Sequence, residues 1–230
     1  MLWLTKMSIR MKLTLSVTLI TLIGLILTVS VIVKQGKESL QDITFQHAEI
    51  TAHKEAVEVE AYLNHGMEIA RGIARDFEIL KQNHIINRAL YNQILIRALK
   101  SNPDFIAAWT IWEPNALDQN DAAYIGQQGT DPKDGRYIPY FNRKTADGSI
   151  ALDTAVDKPE DYQADFYGGV KATQKEVIAK PASYMINGQP TLLSGLIVPL
   201  IINNQFVGVV GIDIDLNALQ KKLAKIHLYD

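Results

Sequence analysis

The 230-residue chain contains no cysteine, which removes both a disulfide framework and a thiolate metal site. It has no excess of positive charge either. The formal net charge is −2 and no basic stripe runs through it, so the phosphate neutralisation that nucleic acid requires is not on offer. Residues typical of catalytic machinery are equally scarce. Ser194, in LLSGL, lacks the Gly-x-Ser-x-Gly elbow and has no base or acid placed to activate it. His47 and His53 are six residues apart, which does not stack them on one helical face as a four-residue step would. Asp213 and Asp215 alternate on a strand and read as a strand end plus a helix cap rather than a cation site. No enzyme, metal or cofactor is expected.

What the chain does have is one long run without charge. LTLSVTLITLIGLILTVSVIV, Leu13 to Val33, is 21 residues long, and about 20 apolar residues carry a helix across the hydrocarbon. A cleaved signal peptide has a shorter apolar region, of about 7–15 residues, and a small-x-small cleavage site, so the run reads as an uncleaved anchor. Lys6, Arg10 and Lys12 precede it and Lys34 and Lys37 follow it. The modest positive-inside bias predicts a single-pass protein of the inner or plasma membrane, with the residues after Val33 periplasmic or extracellular.

Beyond the anchor, the spacing of Ala52, Ala56, Val59, Leu63, Met67, Ala70, Ile73, Phe77 and Leu80 predicts a long helix with one apolar stripe, from Gly36 to about Asn83. A second helix is predicted from His84 to Lys100, ended by Ser101-Asn102-Pro103. The period then changes. FIAAWTIW, Phe105 to Trp112, reads as a strand, and an irregular connection follows from Asn115 to Lys180. A meander closes the pattern: strands at Tyr184–Ile186, Thr191–Leu200 and Phe206–Ile214 with Asn187-Gly188 and Asn203-Asn204 turns, then Asp215 capping a helix over LNALQKKLAKI. The fold class is therefore α+β: a transmembrane helix, a long amphipathic helix, then an antiparallel sheet covered by the helix on one face and by the connection on the other.

Four stretches carry a family resemblance: WTIWEPNALDQND (Trp109–Asp121), DGRYIPYFNR (Asp134–Arg143), KPASYMINGQPTLLSGLIVPLI (Lys180–Ile201) and FVGVVGIDIDLNALQ (Phe206–Gln220). With them the chain resembles the double-Cache sensor region of bacterial methyl-accepting chemotaxis receptors and related sensor kinases. The resemblance implies a cytoplasmic segment at 1–12, the span at 13–33, a signalling helix at 34–83 and a membrane-distal, PAS-like ligand-binding module at 84–215. Residues 216–230 would be a connecting helix and the start of a membrane-proximal module, so the chain reads as a piece that lacks its output domain. The resemblance does not separate a chemotaxis receptor from a histidine kinase or a cyclic-dinucleotide enzyme as owner of the module. A membrane-anchored structural or dimerisation protein is the alternative from another class. A homodimer is expected, since such receptors work as pairs and Ile43, Ile50 and Val57 lie outside the main apolar stripe.

In the resembling receptors, the segment matching DGRYIPYFNR lies on the ligand pocket. Its own residues fit that role: Pro139 cannot join a ladder and suits an edge or bend, Arg136 and Arg143 offer forks for a carboxylate, and Tyr137, Tyr140 and Phe141 offer faces for a cation. The opposing reading, rings plugging the edge of a core and an arginine paired with a loop aspartate, stays open. Trp109, Trp112, Asp165, Tyr167 and Tyr184 complete the expected ligand site. Amino-acid receptors of this type carry Arg-x-Trp-Tyr and a later Asp; here the arginine precedes Tyr-Ile-Pro-Tyr and Tyr184 stands at the Asp position. Between Asn115 and Tyr167 ten acidic residues face five basic ones, which favours an amine or amino-acid-like ligand over an organic acid held by Arg136.

Overall fold

The computed structural model describes residues 8–143, 148–186 and 189–223. The expected Asn187-Gly188 turn, the first seven residues and the last helix beyond Leu223 lie outside the described residues. The chain falls into two compact units, the first ending at Glu55 and the second beginning at Ala56. Helix α1 (Ile9–Gln82) contains the whole apolar run, which is exposed along its length and is long and apolar enough to cross a membrane. Its hydroxyls are satisfied locally, as Thr18 and Thr28 donate to the carbonyls of Thr14 and Gly24 four residues back.

Within the second unit, α1 buries Met67, Ala70, Ile73, Ala74 and Phe77, five positions of one stripe at three- and four-residue steps. Helix α2 (Arg88–Ser101) starts where the Asn87 side chain accepts from the amides of Ala89 and Leu90, as an N-cap does. The helix thus starts four residues later than the spacing alone suggests, because the cap fixes the boundary.

Among the described residues, seven strands form one antiparallel sheet: β1 (Phe105–Trp112), β2 (Pro139–Asn142), β3 (Ala151–Thr154), β4 (Val177–Ile178), β5 (Ala182–Ile186), β6 (Gln189–Ile202) and β7 (Gln205–Asp215). The order is β3-β2-β1-β7-β6-β4, with β5 also on β6. The segment Asn115–Lys180 is therefore not one irregular connection, since it supplies β2, β3 and β4. Four-residue strands carry too little alternation to stand out from a loop. Nor is β2 an edge, because it pairs with both β1 and β3; Pro139 is tolerated because it opens the strand. Asn203 and Asn204 take positive φ at the β6–β7 turn. The Asp215 carboxylate accepts from the amides of Asn217 and Ala218 and so starts helix α4 (Leu216–Leu223).

The two faces of the sheet carry separate cores. On one, Phe77 of α1 and Tyr91, Leu95 and Leu99 of α2 pack on Ala108, Trp112, Leu196 and Ile212. On the other, Trp109, Ile111, Ile138, Ile197 and Val209 are covered by Val156, Tyr167 and Val170. Apart from Val156, that second covering comes from a 3₁₀ turn (Pro159–Gln163), a π turn (Asp165–Gly169) and helix α3 (Val170–Thr173).

Candidate functional site

Between the sheet and this second covering lies a cavity of about 780 Å³. It exists because the centre of the sheet is built from small residues on this face: Gly195 of β6 stands opposite Asp213 of β7, and Gly211 pairs with Trp109 and Ile197. A methyl group on Gly211 would fall within 2.7 Å of Trp109 Cη2, and nearer still to two other ring atoms. The indole therefore lies flat over the glycine, and it is 4% exposed.

This placement fixes an acid on the floor. Trp109 Nε1 donates to Asp213 Oδ1 at 2.9 Å and the Tyr140 hydroxyl donates to Asp213 Oδ2 at 2.7 Å. Burial, reinforced by the Asp213 charge, pushes the Tyr140 hydroxyl well above its ordinary value, so it stays a donor. Tyr184, half exposed on β5, is also pushed up, by burial first and then by Asp213, Asp161 and Asp157. Among the described residues, Asp153, Asp157, Asp161 and Asp165 join Asp213 in the lining with Lys158 and Lys180 as its basic members. Phe166 meets Trp109 edge-on with ring centroids 6.0 Å apart. Negative potential and aromatic faces converge on one concave space, which suits a positively charged group.

Of the nine residues expected at the site, Trp109, Tyr140, Asp165 and Tyr184 line this cavity. The other five do not. Trp112 is three residues from Trp109 on one strand, so the two-residue period puts them on opposite faces, and Trp112 is fully buried beneath α1 and α2. Tyr137 shares that helix-side core and donates to Asn92 Oδ1 at 2.6 Å. The Arg143 guanidinium donates to the Leu99 carbonyl at the end of α2, a favourable place for a cation. Arg136 is 6% exposed, donates to the Trp112 carbonyl and the Tyr167 hydroxyl, and lies 3.6 Å from Glu113. Tyr167 donates to Glu113 and is buried behind the wall rather than in it. Sequence reasoning missed Asp213 as a wall residue. The signal was there: Val209, Gly211 and Asp213 alternate on one face of a strand, and a lone acid on an otherwise apolar inward face calls for a partner.

A second buried cluster lies at the start of α2, away from the cavity lining. Arg88 donates to Asp118 at 2.7 Å and to Asp121 at 2.6 Å, and to the Gly135 carbonyl at 3.0 Å, under the Tyr124 ring at 3.7 Å. Gly135 has φ +76°, and a Cβ there would come within 2.9 Å of the Ile125 amide nitrogen, so only glycine lets the loop fold back on itself. Among the described residues no group of three His, Cys, Asp or Glu is arranged to hold a metal ion.

An antiparallel sheet covered by helices on one face, with a cavity on the other, is the architecture of a PDC/Cache-like sensor module. Residues 91–221 match the family of methyl-accepting chemotaxis protein-like first PDC sensor domains, and the chain belongs to that family. Methyl-accepting chemotaxis protein TlpQ of Pseudomonas aeruginosa is 23% identical, over 87% of this chain and 31% of that receptor. Among solved structures, the extracellular domain of mmHK1S-Z3, described as a histidine kinase, is 26% identical with a TM-score of 0.64, covering 75% of this chain and 59% of that one. Methyl-accepting chemotaxis protein X is 24% identical with a TM-score of 0.69, covering 80% and 66%. The chain thus spans less than a third of the receptor it resembles in sequence.

Proposed function

We propose that the chain is the ligand-binding input of a membrane-anchored receptor, and that its cavity takes a small organic cation, an amine or the ammonium end of an amino-acid-like zwitterion. The observation that carries this reading is the Asp213 carboxylate, oriented by Trp109 and Tyr140 under a wall of four further aspartates. A fixed acid costs a cationic ligand no reorganisation, and the nearby rings add cation–π attraction of about 0.5–2 kcal/mol. An organic acid held by Arg136 is not favoured, because that guanidinium is spent on Trp112, Tyr167 and Glu113. Anchoring by Leu13–Val33 with Lys6, Arg10 and Lys12 ahead of it supports a sensor outside the cytoplasm, and α1 is the element through which occupancy would reach the membrane. Pairing of two chains along α1 is supported by Ile43, Ile50 and Val57, exposed at seven-residue spacing. The likeness to mmHK1S-Z3 supports a histidine kinase as an alternative owner of the same input.

The test is thermal denaturation of the full chain in detergent against primary amines, amino acids and carboxylic acids. A cation at one hundred times its dissociation constant is expected to stabilise by about 2.7 kcal/mol, and Asp213→Asn to abolish that shift. Stabilisation by carboxylic acids alone, or a shift that survives Asp213→Asn, overturns the reading.

A further inference from the structure

The wall that closes the cavity is the stretch Pro159–Thr173, and its inner surface is Asp161, Ala164, Asp165 and Phe166. In the π turn Asp165–Gly169 successive side chains diverge by nearly a quarter turn. Phe166 therefore faces Trp109 in the cavity while Tyr167 points away, into a buried cluster. There the Tyr167 hydroxyl donates to Glu113 Oε1 and accepts from Arg136. Arg136 lies across two rings of the wall, its Cζ 4.3 Å from the Tyr162 centroid and 5.0 Å from that of Tyr167. Its Nε donates to the Trp112 carbonyl at the end of β1. Lys171, at the far end of the wall, donates to Glu113 Oε2 at 2.9 Å. Three side chains of the wall thus converge on Arg136 and Glu113, which belong to the scaffold.

We infer that Arg136 is a positioning residue: with Glu113 it clamps the outer side of the 159–173 wall to the end of β1, and so sets where Asp165 and Phe166 stand, without touching the occupant of the cavity. The inference rests on that cavity being the ligand site. A fork is needed here because one cation must reach a main-chain carbonyl and a hydroxyl while stacking on rings, which a point-charge ammonium cannot do. The clamp ends at a strand position the long helix also touches, since the Trp112 ring lies 6.2 Å from that of Phe77. Movement of the wall therefore has a short path to α1.

Hydrogen exchange of the full chain in detergent, with no ligand added, tests the clamp. Tyr167→Phe keeps the ring and removes only the hydroxyl, and Arg136→Gln removes the fork. Both are expected to speed amide exchange within residues 159–173 by about tenfold, with β1, β6 and β7 exchanging as in the unmodified chain. Unchanged exchange in that segment, or an equal gain spread over the whole sheet, overturns the inference. If Arg136→Gln does not fold, Tyr167→Phe decides alone. Because no ligand enters the measurement, a failed ligand reading, seen as an Asp213→Asn chain that keeps its thermal shift, leaves this result standing on its own.

Discussion

Replacing Gly211 by alanine asks whether the floor of the cavity is as tight as the geometry implies. The added methyl would meet Trp109 Cη2 at 2.7 Å and two more atoms of the same ring closer still, well inside any real carbon–carbon contact. The indole cannot yield freely. It is buried, it meets Phe166 edge-on, and its Nε1 is tied to Asp213. Overpacking a core costs about 1–3 kcal/mol. Pulling Nε1 away from a charged acceptor costs about 1.5–3 kcal/mol more, though a single ring movement incurs both and they overlap. We expect a net loss of about 3 kcal/mol, which for a unit of this size lowers the melting temperature by about 6–12 °C. The assay is thermal unfolding of the full chain followed by circular dichroism. Trp109→Phe removes the ring atoms nearest the new methyl, so in that background Gly211→Ala should cost about 1–2 kcal/mol less, a coupling measurable in a double-mutant cycle. A Gly211→Ala chain as stable as the original, or strictly additive effects, would refute the argument.

Arg88→Ala leaves Asp118 and Asp121 facing each other with little solvent, their side chains being 11% and 5% exposed. Breaking such a buried group should cost about 3–5 kcal/mol in chemical denaturation, and Lys in place of Ala should recover only part of it. A third prediction concerns acid. Burial alone would raise Glu113 and Asp118, but hydrogen bonds from Tyr167 and Lys171 to the first and from Arg88 to the second, with the nearby cations, hold both below their ordinary values. A carboxylate depressed in the folded state stabilises above its unfolded pKa and loses that contribution as pH falls through the folded value. Melting temperature should therefore be flat above about pH 5 and fall below about pH 4, and Asp118→Asn should lessen the fall. A melting temperature that rises on acidification below pH 4 contradicts this.

Periodicity alone determined most of the architecture. The 21-residue apolar run, the stripe through Met67, Ala70, Ile73 and Phe77, the strand Phe105–Trp112 and the capping Asp215 are local patterns, because a helix or strand must present one face to a core wherever it ends up. In DGRYIPYFNR the strand is too short for its period to be read, and only once Pro139–Asn142 is known to be a strand do 139 and 141 fall on one face and 140 on the other. What no local pattern holds is which face meets a helix and which a cavity. Tertiary structure decided that, by setting Tyr137 and Phe141 in the helix-side core and Tyr140 over Asp213. It also sent Arg136 and Arg143 to main-chain carbonyls on β1 and α2. The partner of the floor acid was hidden for the same reason. Asp213 meets Trp109, 104 residues away, only because β1 and β7 pair in a register that lays the indole over Gly211. The alternation of Val209, Gly211 and Asp213 marks an acid in need of a partner, but the strand pairing that supplies Trp109 leaves no mark at either position.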